Sequence, residues 1–183
     1  MRLPANTRGV GRSTAQRGFS LFELVVVILL IGVLMSLAID RLMRIQVDAE
    51  RVSVQYVIGA LESALNLQVA EIVVKQGLGA IGSLQDRNPM TFLSKTPANY
   101  NGVAQEDAAD WQRKSGWYYD SDKKILVYTV QNTHYFHSSV EGRPRIRLQL
   151  RLIYTQTGAG EKPSLRGVSL QSLDEYRWLT EEQ

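Results

Sequence analysis

GFSLFELVVVILLIGVLMSLAI, residues 18–39, places one acidic side chain, Glu23, at the start of a long apolar run. Residues 24–39 contain no charged side chain. Phe19 to Ile39 is long enough to cross a bilayer core, which takes ~20 helical residues. A carboxylate inside hydrocarbon is costly, and such residues usually have a function. The stretch therefore predicts a membrane helix whose first turn carries a functional acid.

Positive charge is concentrated upstream of this run. Residues 1–18 hold four arginines and no acidic residue, whereas the rest of the chain is close to neutral. Basic residues before an apolar segment favour a cytoplasmic N-terminus. No later stretch is apolar enough for a second span. The sequence predicts a single-pass protein, in contact with membrane lipid, whose C-terminal part lies outside the cytoplasm. The basic pI comes largely from the leader and does not indicate nucleic-acid binding.

Three interpretations of the N-terminus are open from these residues. An ordinary secretory signal peptide would be cut after Ala38, where residues 36–38 fit the small-x-small pattern, but it gives Glu23 no role. An uncut signal anchor would place the Glu23 carboxylate at the lipid headgroups by extending its side chain from the first turn. The third interpretation gives every residue around Glu23 a role, and it depends on a family resemblance.

GFSLFEL, residues 18–24, follows a basic leader and precedes an apolar helix, and it resembles the N-terminal signal of type IV pilins and type II secretion pseudopilins. The resemblance implies that a prepilin peptidase cleaves between Gly18 and Phe19 and that Phe19 becomes an N-methylated terminus. Glycine lets a protease approach the backbone closely. Glu23 is favoured at the positive end of the helix dipole, and the resemblance implies that it guides assembly by pairing with the new amine of a neighbouring subunit.

The resemblance also implies a structural subunit without enzymatic activity, held in the bacterial inner membrane before it enters a filament. The implied partners are prepilin peptidase, other pilin or pseudopilin subunits and an inner-membrane assembly platform. Asp40 stands where many family members have proline, and the chain has no cysteine for the disulfide loop of major pilins. Both differences favour a pseudopilin or minor pilin. Secretion, pilus and DNA-uptake systems all remain open, and the alternative is a non-polymerising, membrane-anchored periplasmic binding domain.

The helical pattern continues beyond the apolar run to residue 76. Two sets of apolar or small side chains recur at three- and four-residue steps, and both are expected to be buried. The first set is Ile45, Ala49, Val52, Tyr56, Ala60, Ser63, Leu67, Ala70 and Val74; the second is Val54, Ile58, Leu61, Leu65, Val69 and Ile72. Charged residues, including Glu50, are expected to fall largely outside these rows. Upstream, Gly32 and Ser36 have the spacing of a close helix contact, although ordinary membrane-helix composition explains them equally well.

The remaining residues predict a β-rich head. GWYYD and KILVYTV, residues 116–120 and 124–130, predict a hairpin, and residues 145–154 and 165–170 predict two more strands. The expected fold is α+β, a pilin-like lollipop with one long N-terminal helix packed on an antiparallel sheet of about four strands. The expected divisions are a cleaved leader at 1–18, a transmembrane or filament-core helix at 19–40, its amphipathic continuation at 41–76, an irregular connection at 77–114 and a β head with a C-terminal tail at 115–183.

No catalytic, cofactor or metal site is predicted. His134 and His137 would face opposite sides of a strand, which suits one metal poorly. Asp120 and Asp122 fit a plain turn better than a calcium loop, although some pseudopilins bind calcium and the question stays open. The basic residues of the third predicted strand and its approach are expected to form a solvated face that protects a sheet edge. They are Arg143, Arg145, Arg147 and Arg151.

Overall fold

The structure is a computed structural model that describes residues 19–106, 114–155 and 164–179. It divides into two compact units, Met1–Met43 and Arg44–Gln183. Helix α1 (Leu21–Gln76) contributes its first part to the first unit and its second part to the other. The leader and Gly18 lie outside the described residues.

Within the described residues, seven strands follow α1. They are β1 (Tyr100–Val103), β2 (Gly116–Asp120), β3 (Ile125–Thr129), β4 (Phe136–Ser138), β5 (Arg145–Thr155), β6 (Ser164–Ser172) and β7 (Tyr176–Trp178). Strands β1-β2-β3-β5-β6 form one sheet in that order, and β4 pairs with β7 in a second. Short 3-10 helices occur at Leu78–Leu84, Pro89–Phe92 and Thr133–Tyr135. The α+β fold class is confirmed, with more strands than predicted.

The main sheet is mixed because β1 joins the edge of β2 in parallel. At this junction the Trp117 N–H donates to the Asn99 carbonyl oxygen at 2.9 Å. Gly116 precedes it with φ +124°, and a Cβ there would lie 2.3 Å from the same oxygen. Glycine is therefore required for the close approach of the two strands. The run YNGV at 100–103 is short and contains a polar residue and a glycine. It therefore lacks the alternation of apolar and polar residues that would predict a strand.

The second part of α1 packs on the main sheet through one helical row. Its buried members are Val47, Val54, Val57, Leu61, Leu65 and Ile72. The row shares one core cluster with sheet residues such as Trp117 and Leu126, and a second with Leu150 and Val168. Full burial of one large apolar side chain stabilises a fold by about 1.5–3 kcal/mol, so this row supplies much of the adhesion between helix and sheet.

The prediction that both apolar sets of the helix are buried is wrong for the first set. Its large members are exposed, namely Ile45, Val52, Tyr56, Leu67 and Val74. Successive helical residues are turned by about 100°, which places the two sets on opposite sides of α1. The sheet covers one side only. Periodicity detects both sets, but it does not say which of them faces a partner within the chain.

Glu50 is also buried, with 9% of its surface exposed, although the sequence predicted a charged residue outside the packed rows. Its Oε1 accepts hydrogen bonds from the Tyr128 hydroxyl at 2.9 Å and from the Gln131 N–H at 2.6 Å. Its Oε2 accepts from the Asn132 N–H at 2.9 Å and from Asn132 Nδ2 at 2.7 Å. The carboxylate is buried because these donors, on and after the end of β3, replace water.

Candidate processing and assembly segment

The first turn of α1 brings Ser20 and Glu23 together. The Ser20 hydroxyl oxygen accepts a hydrogen bond from the Glu23 N–H at 3.1 Å. The Ser20 carbonyl accepts one from the Leu24 N–H, also at 3.1 Å. Ser20 is therefore the N-cap of α1. The helix begins at Leu21, two residues after the predicted start at Phe19. The serine-x-x-glutamate spacing at residues 20–23 is the sequence signal for this cap.

Glu23 occupies the first turn of α1, where the helix dipole is positive. Phe19 precedes the cap and is exposed. Gly18 lies outside the described residues, so the structure places only the C-terminal side of the expected cleavage point. Phe19 and Glu23 are separated by the single capped turn. Cleavage, methylation and the assembly role of Glu23 remain predictions at this point.

The apolar residues after Glu23 are exposed, from Leu24 through Ile39. Within the described residues, α1 is the one helix whose length and composition would allow it to cross a membrane. Gly32 and Ser36 lie on this part of the helix and are exposed. A Cβ built at Gly32 would meet no atom of the described chain within 4 Å. No close contact within the described chain therefore requires a glycine at position 32. The role of Gly32 in helix packing stays a prediction.

Residues 13–39 match a family model, the prokaryotic N-terminal methylation motif. The resemblance to type IV pilins and pseudopilins is confirmed. The type II secretion system core protein G of Klebsiella michiganensis is 46% identical over 56 residues, which is 31% of this chain and 39% of that protein. Core protein G of Klebsiella pneumoniae is 38% identical over 78 residues, 40% of this chain and 56% of that protein.

These alignments span about half or less of the pseudopilins that they match. The similarity is therefore limited to part of each protein. The methylation motif itself covers residues 13–39 of this chain. No solved structure matches the chain.

The turn after β2, which contains Asp120 and Asp122, is held by backbone N–H groups. Asp120 Oδ1 accepts from the N–H groups of Asp122 and Lys123, each at 2.9 Å, and Oδ2 accepts from the Glu106 N–H at 2.6 Å. Burial alone would raise the pKa of Asp120, but these three hydrogen bonds hold it below the ordinary value of 3.8. Both oxygens therefore anchor the turn. Among the described residues, no group of three or more His, Asp or Glu is placed to hold a metal ion.

Two arginines expected on a solvated face are engaged in ion pairs within the head instead. Arg145, with 12% of its side chain exposed, donates from Nε to Oε1 of Glu106 at 2.7 Å. Glu106 is 2% exposed and also pairs with Lys123 at 2.9 Å. Arg147 donates two hydrogen bonds of 2.6 Å to the Asp174 carboxylate and so lowers the pKa of that group. The expectation of a solvated basic face is wrong for Arg145 and Arg147, because acids from neighbouring segments neutralise these two side chains.

Proposed function

We propose that this chain is a pseudopilin-like structural subunit of a type II secretion or type IV pilus filament. The observation that carries the proposal is the methylation-motif match at residues 13–39, with Glu23 in the first turn of α1. In this proposal a prepilin peptidase cleaves between Gly18 and Phe19, the new amine of Phe19 is methylated, and the mature chain enters the filament through α1. The chain has no enzymatic role.

The proposed assembly step follows from the cost of isolated charges in hydrocarbon. Cleavage leaves an ammonium group on Phe19, one turn before the Glu23 carboxylate. Each charge alone is costly in an apolar surrounding, whereas a pair of opposite charges is tolerated. The Glu23 carboxylate of one subunit would therefore take the Phe19 ammonium of the next, which aligns neighbouring helices along their axes. The Ser20 cap supports this step, since it fixes the start of the helix between the two groups.

The proposed setting is the bacterial inner membrane, with the N-terminus cytoplasmic and the head periplasmic until the subunit enters the filament. Its proposed partners are prepilin peptidase, other pseudopilin or pilin subunits and an inner-membrane assembly platform. The basic leader and the long apolar part of α1 support this orientation. The likeness to two type II secretion core G proteins favours the secretion filament over a surface pilus.

The first test is the intact mass and N-terminal sequence of the full chain from membranes that contain a prepilin peptidase. We expect a chain that begins at Phe19 and carries one added methyl group. A Gly18→Val variant should remain uncut in the same membranes and serves as the control. A chain that keeps its leader, or one cut after Ala38, would contradict the proposal. An uncut chain would instead support a membrane-anchored binding domain that does not polymerise.

A further inference from the structure

A polar cleft lies in the unit Arg44–Gln183, between the second part of α1 and the end of β3. We call it the Glu50 cleft; its volume is about 380 Å³. Glu50 and Tyr128 form its buried floor, with 9% and 4% of their surfaces exposed. Its exposed rim includes the polar side chains Gln46, Ser53, Asn99 and Gln131. Polar groups that converge in a concave site determine which ligand it takes.

The negative charge of Glu50 has no cationic partner in the described part of the chain. Its four hydrogen bonds all come from uncharged donors. The residues three and four positions away on α1, which share its side of the helix, are not basic; they are Gln46, Val47, Ser53 and Val54. Residues 128–132, which supply the donors, contain no basic residue either. Because buried charges are normally paired, a cation is the partner that this cleft lacks.

Two neighbours of Glu50 present hydrogen-bond acceptors to the cleft. A carboxylate only accepts, so each neighbour directs its hydrogens towards it. The Tyr128 hydroxyl donates to Oε1, which leaves the lone pairs of its own oxygen for another donor. Asn132 presents Nδ2 to Oε2, which leaves its Oδ1. Asn132 is also the N-cap of the short helix Thr133–Tyr135, but its side chain makes no capping hydrogen bond. The cleft therefore combines one negative charge with two available acceptor oxygens.

These features select a ligand group that is positively charged and only donates hydrogen bonds. A primary ammonium group has three donors and no acceptor. A guanidinium group also only donates, but its strongest pairing is a two-pronged contact with both oxygens of a carboxylate. Each Glu50 oxygen already accepts two hydrogen bonds, so this contact has no free position. An ammonium group can use the separate acceptors instead.

We infer that the Glu50 cleft is a binding site for a primary ammonium group, carried by a free amine or by a lysine side chain. The group would donate to the Tyr128 hydroxyl oxygen and to Asn132 Oδ1, and the Glu50 carboxylate would balance its charge. An exposed rim amide such as Gln131 can rotate to supply a third acceptor. The site lies in the head and depends neither on cleavage nor on assembly, so it goes beyond the proposed function.

Heteronuclear NMR of the isotope-labelled full chain in detergent micelles, titrated with n-butylammonium chloride, tests this inference. We expect saturable shifts of the Gln131 and Asn132 backbone amides and of the Asn132 side-chain amide, since all three donate to Glu50. Half-saturation should fall at millimolar concentration, because a single small group gains little on binding. Butanol has a similar carbon chain without the charge, and potassium chloride supplies the same ionic strength. Equal shifts with either compound would overturn the inference.

Two further ligands test the selectivity and identify the source of the ammonium group. Methylguanidinium chloride should bind several-fold more weakly than n-butylammonium, and equal or tighter binding would overturn the assignment to an ammonium group. An acetylated and amidated glycine-lysine-glycine peptide distinguishes the two sources. Tighter binding of the peptide would support the site and identify a lysine of another polypeptide as its ligand. Binding no tighter than that of n-butylammonium would support the site and identify a free amine.

Three variants test the cleft without removing Glu50, which is also part of the fold. Ser53→Leu fills the exposed rim and should abolish the shifts caused by n-butylammonium. Gln55→Leu adds a similar apolar side chain on another exposed side of the helix and should keep them. Tyr128→Phe removes one acceptor and should raise the half-saturation concentration several-fold. Near-ultraviolet circular dichroism checks that each variant is folded. Unchanged binding in folded Ser53→Leu and Tyr128→Phe would overturn the inference.

Discussion

Glu23 and Glu50 lie on the same helix, and their carboxylates find partners in different ways. Glu50 takes four hydrogen bonds from neutral donors inside the head. Burial raises the pKa of Tyr128, so its hydroxyl stays protonated and remains a donor to Glu50. Glu23 lies in an apolar segment, and in the proposed function its partner is the amine of another subunit. One glutamate serves the fold and the other would serve assembly.

Replacement of Glu23 by alanine should block assembly without affecting the anchor. The variant removes the proposed partner of the Phe19 ammonium but keeps the apolar helix and the Ser20 cap. We expect the mature variant in the membrane fraction at normal level and a loss of sheared filaments of at least tenfold. Electron microscopy and fractionation measure these two quantities. Normal filaments from this variant would show that Glu23 is dispensable.

Replacement of Glu50 by alanine should destabilise the head by about 3 kcal/mol, because it leaves several buried donors unsatisfied. Tyr128→Phe removes one of the four hydrogen bonds and should cost about 1 kcal/mol. Urea unfolding of the full chain in detergent, followed by tryptophan fluorescence, measures both changes. Asp48→Ala, on an exposed position of the same helix, is the control and should have little effect. A Glu50→Ala cost no larger than that of Asp48→Ala would contradict the buried network.

At the scale of single elements, the start of α1 depends on Ser20. Ser20→Ala removes the hydrogen bond to the Glu23 N–H and should destabilise the first turn by about 1 kcal/mol. Hydrogen exchange of the Glu23 and Leu24 amides should become several-fold faster, while exchange further along the helix does not change. Ser20→Thr keeps the hydroxyl and should restore most of the protection. Equal exchange in all three forms would rule out the cap.

The ion pair between β5 and the segment before β7 should make the head sensitive to acid. Arg147 holds the pKa of Asp174 below its ordinary value of 3.8, so the folded state binds this proton less readily than the unfolded chain. The resulting stability is present above about pH 4 and is lost as the pH falls through the folded pKa. Asp174→Asn should cost about 1–2 kcal/mol at neutral pH. Its unfolding free energy should also fall less steeply below about pH 4 than that of the parent chain.

Glu175→Gln is the matched control for this acid sensitivity, since Glu175 is the exposed neighbour of Asp174. It should keep the pH profile of the parent chain. Unfolding curves in urea at several pH values provide the comparison. An Asp174→Asn profile that runs parallel to the parent profile would exclude the pair as a source of the acid response.

The elements with a strong period were predictable from sequence, and the others depend on contacts distant in the chain. β2, β3 and β5 combine aromatic, β-branched or alternating residues, and their bounds match the prediction closely. β4 and β7 have three residues each and exist because they pair with one another across about forty residues. The sequence shows both apolar rows of α1, but which row is buried depends on the side of the helix against which the sheet packs. The Glu50 donors come from residues 128–132, which no local pattern links to the helix.

At the scale of the whole molecule, the head should fold without the first part of α1. The buried residues of both core clusters lie between Val47 and Trp178. A chain that begins at Arg44 should therefore keep native near-ultraviolet circular dichroism and a cooperative unfolding transition. A chain that begins at Gln55 loses Val47, Glu50 and Val54 and should not fold cooperatively at 25 °C. A folded Gln55 form, or an unfolded Arg44 form, would contradict this division of the molecule.

The last strand determines when this head can be finished during biosynthesis. Trp178 of β7 shares a core cluster with Val47, and Phe136 packs edge-on against Trp178 with ring centroids 4.8 Å apart. The Leu179 N–H also donates to the Tyr135 carbonyl oxygen at 2.8 Å. Translation must therefore pass Trp178 before this core can close. A transcript truncated before codon 176 would yield a product that lacks the closing strand, and quality-control proteases would recognise its exposed apolar surface.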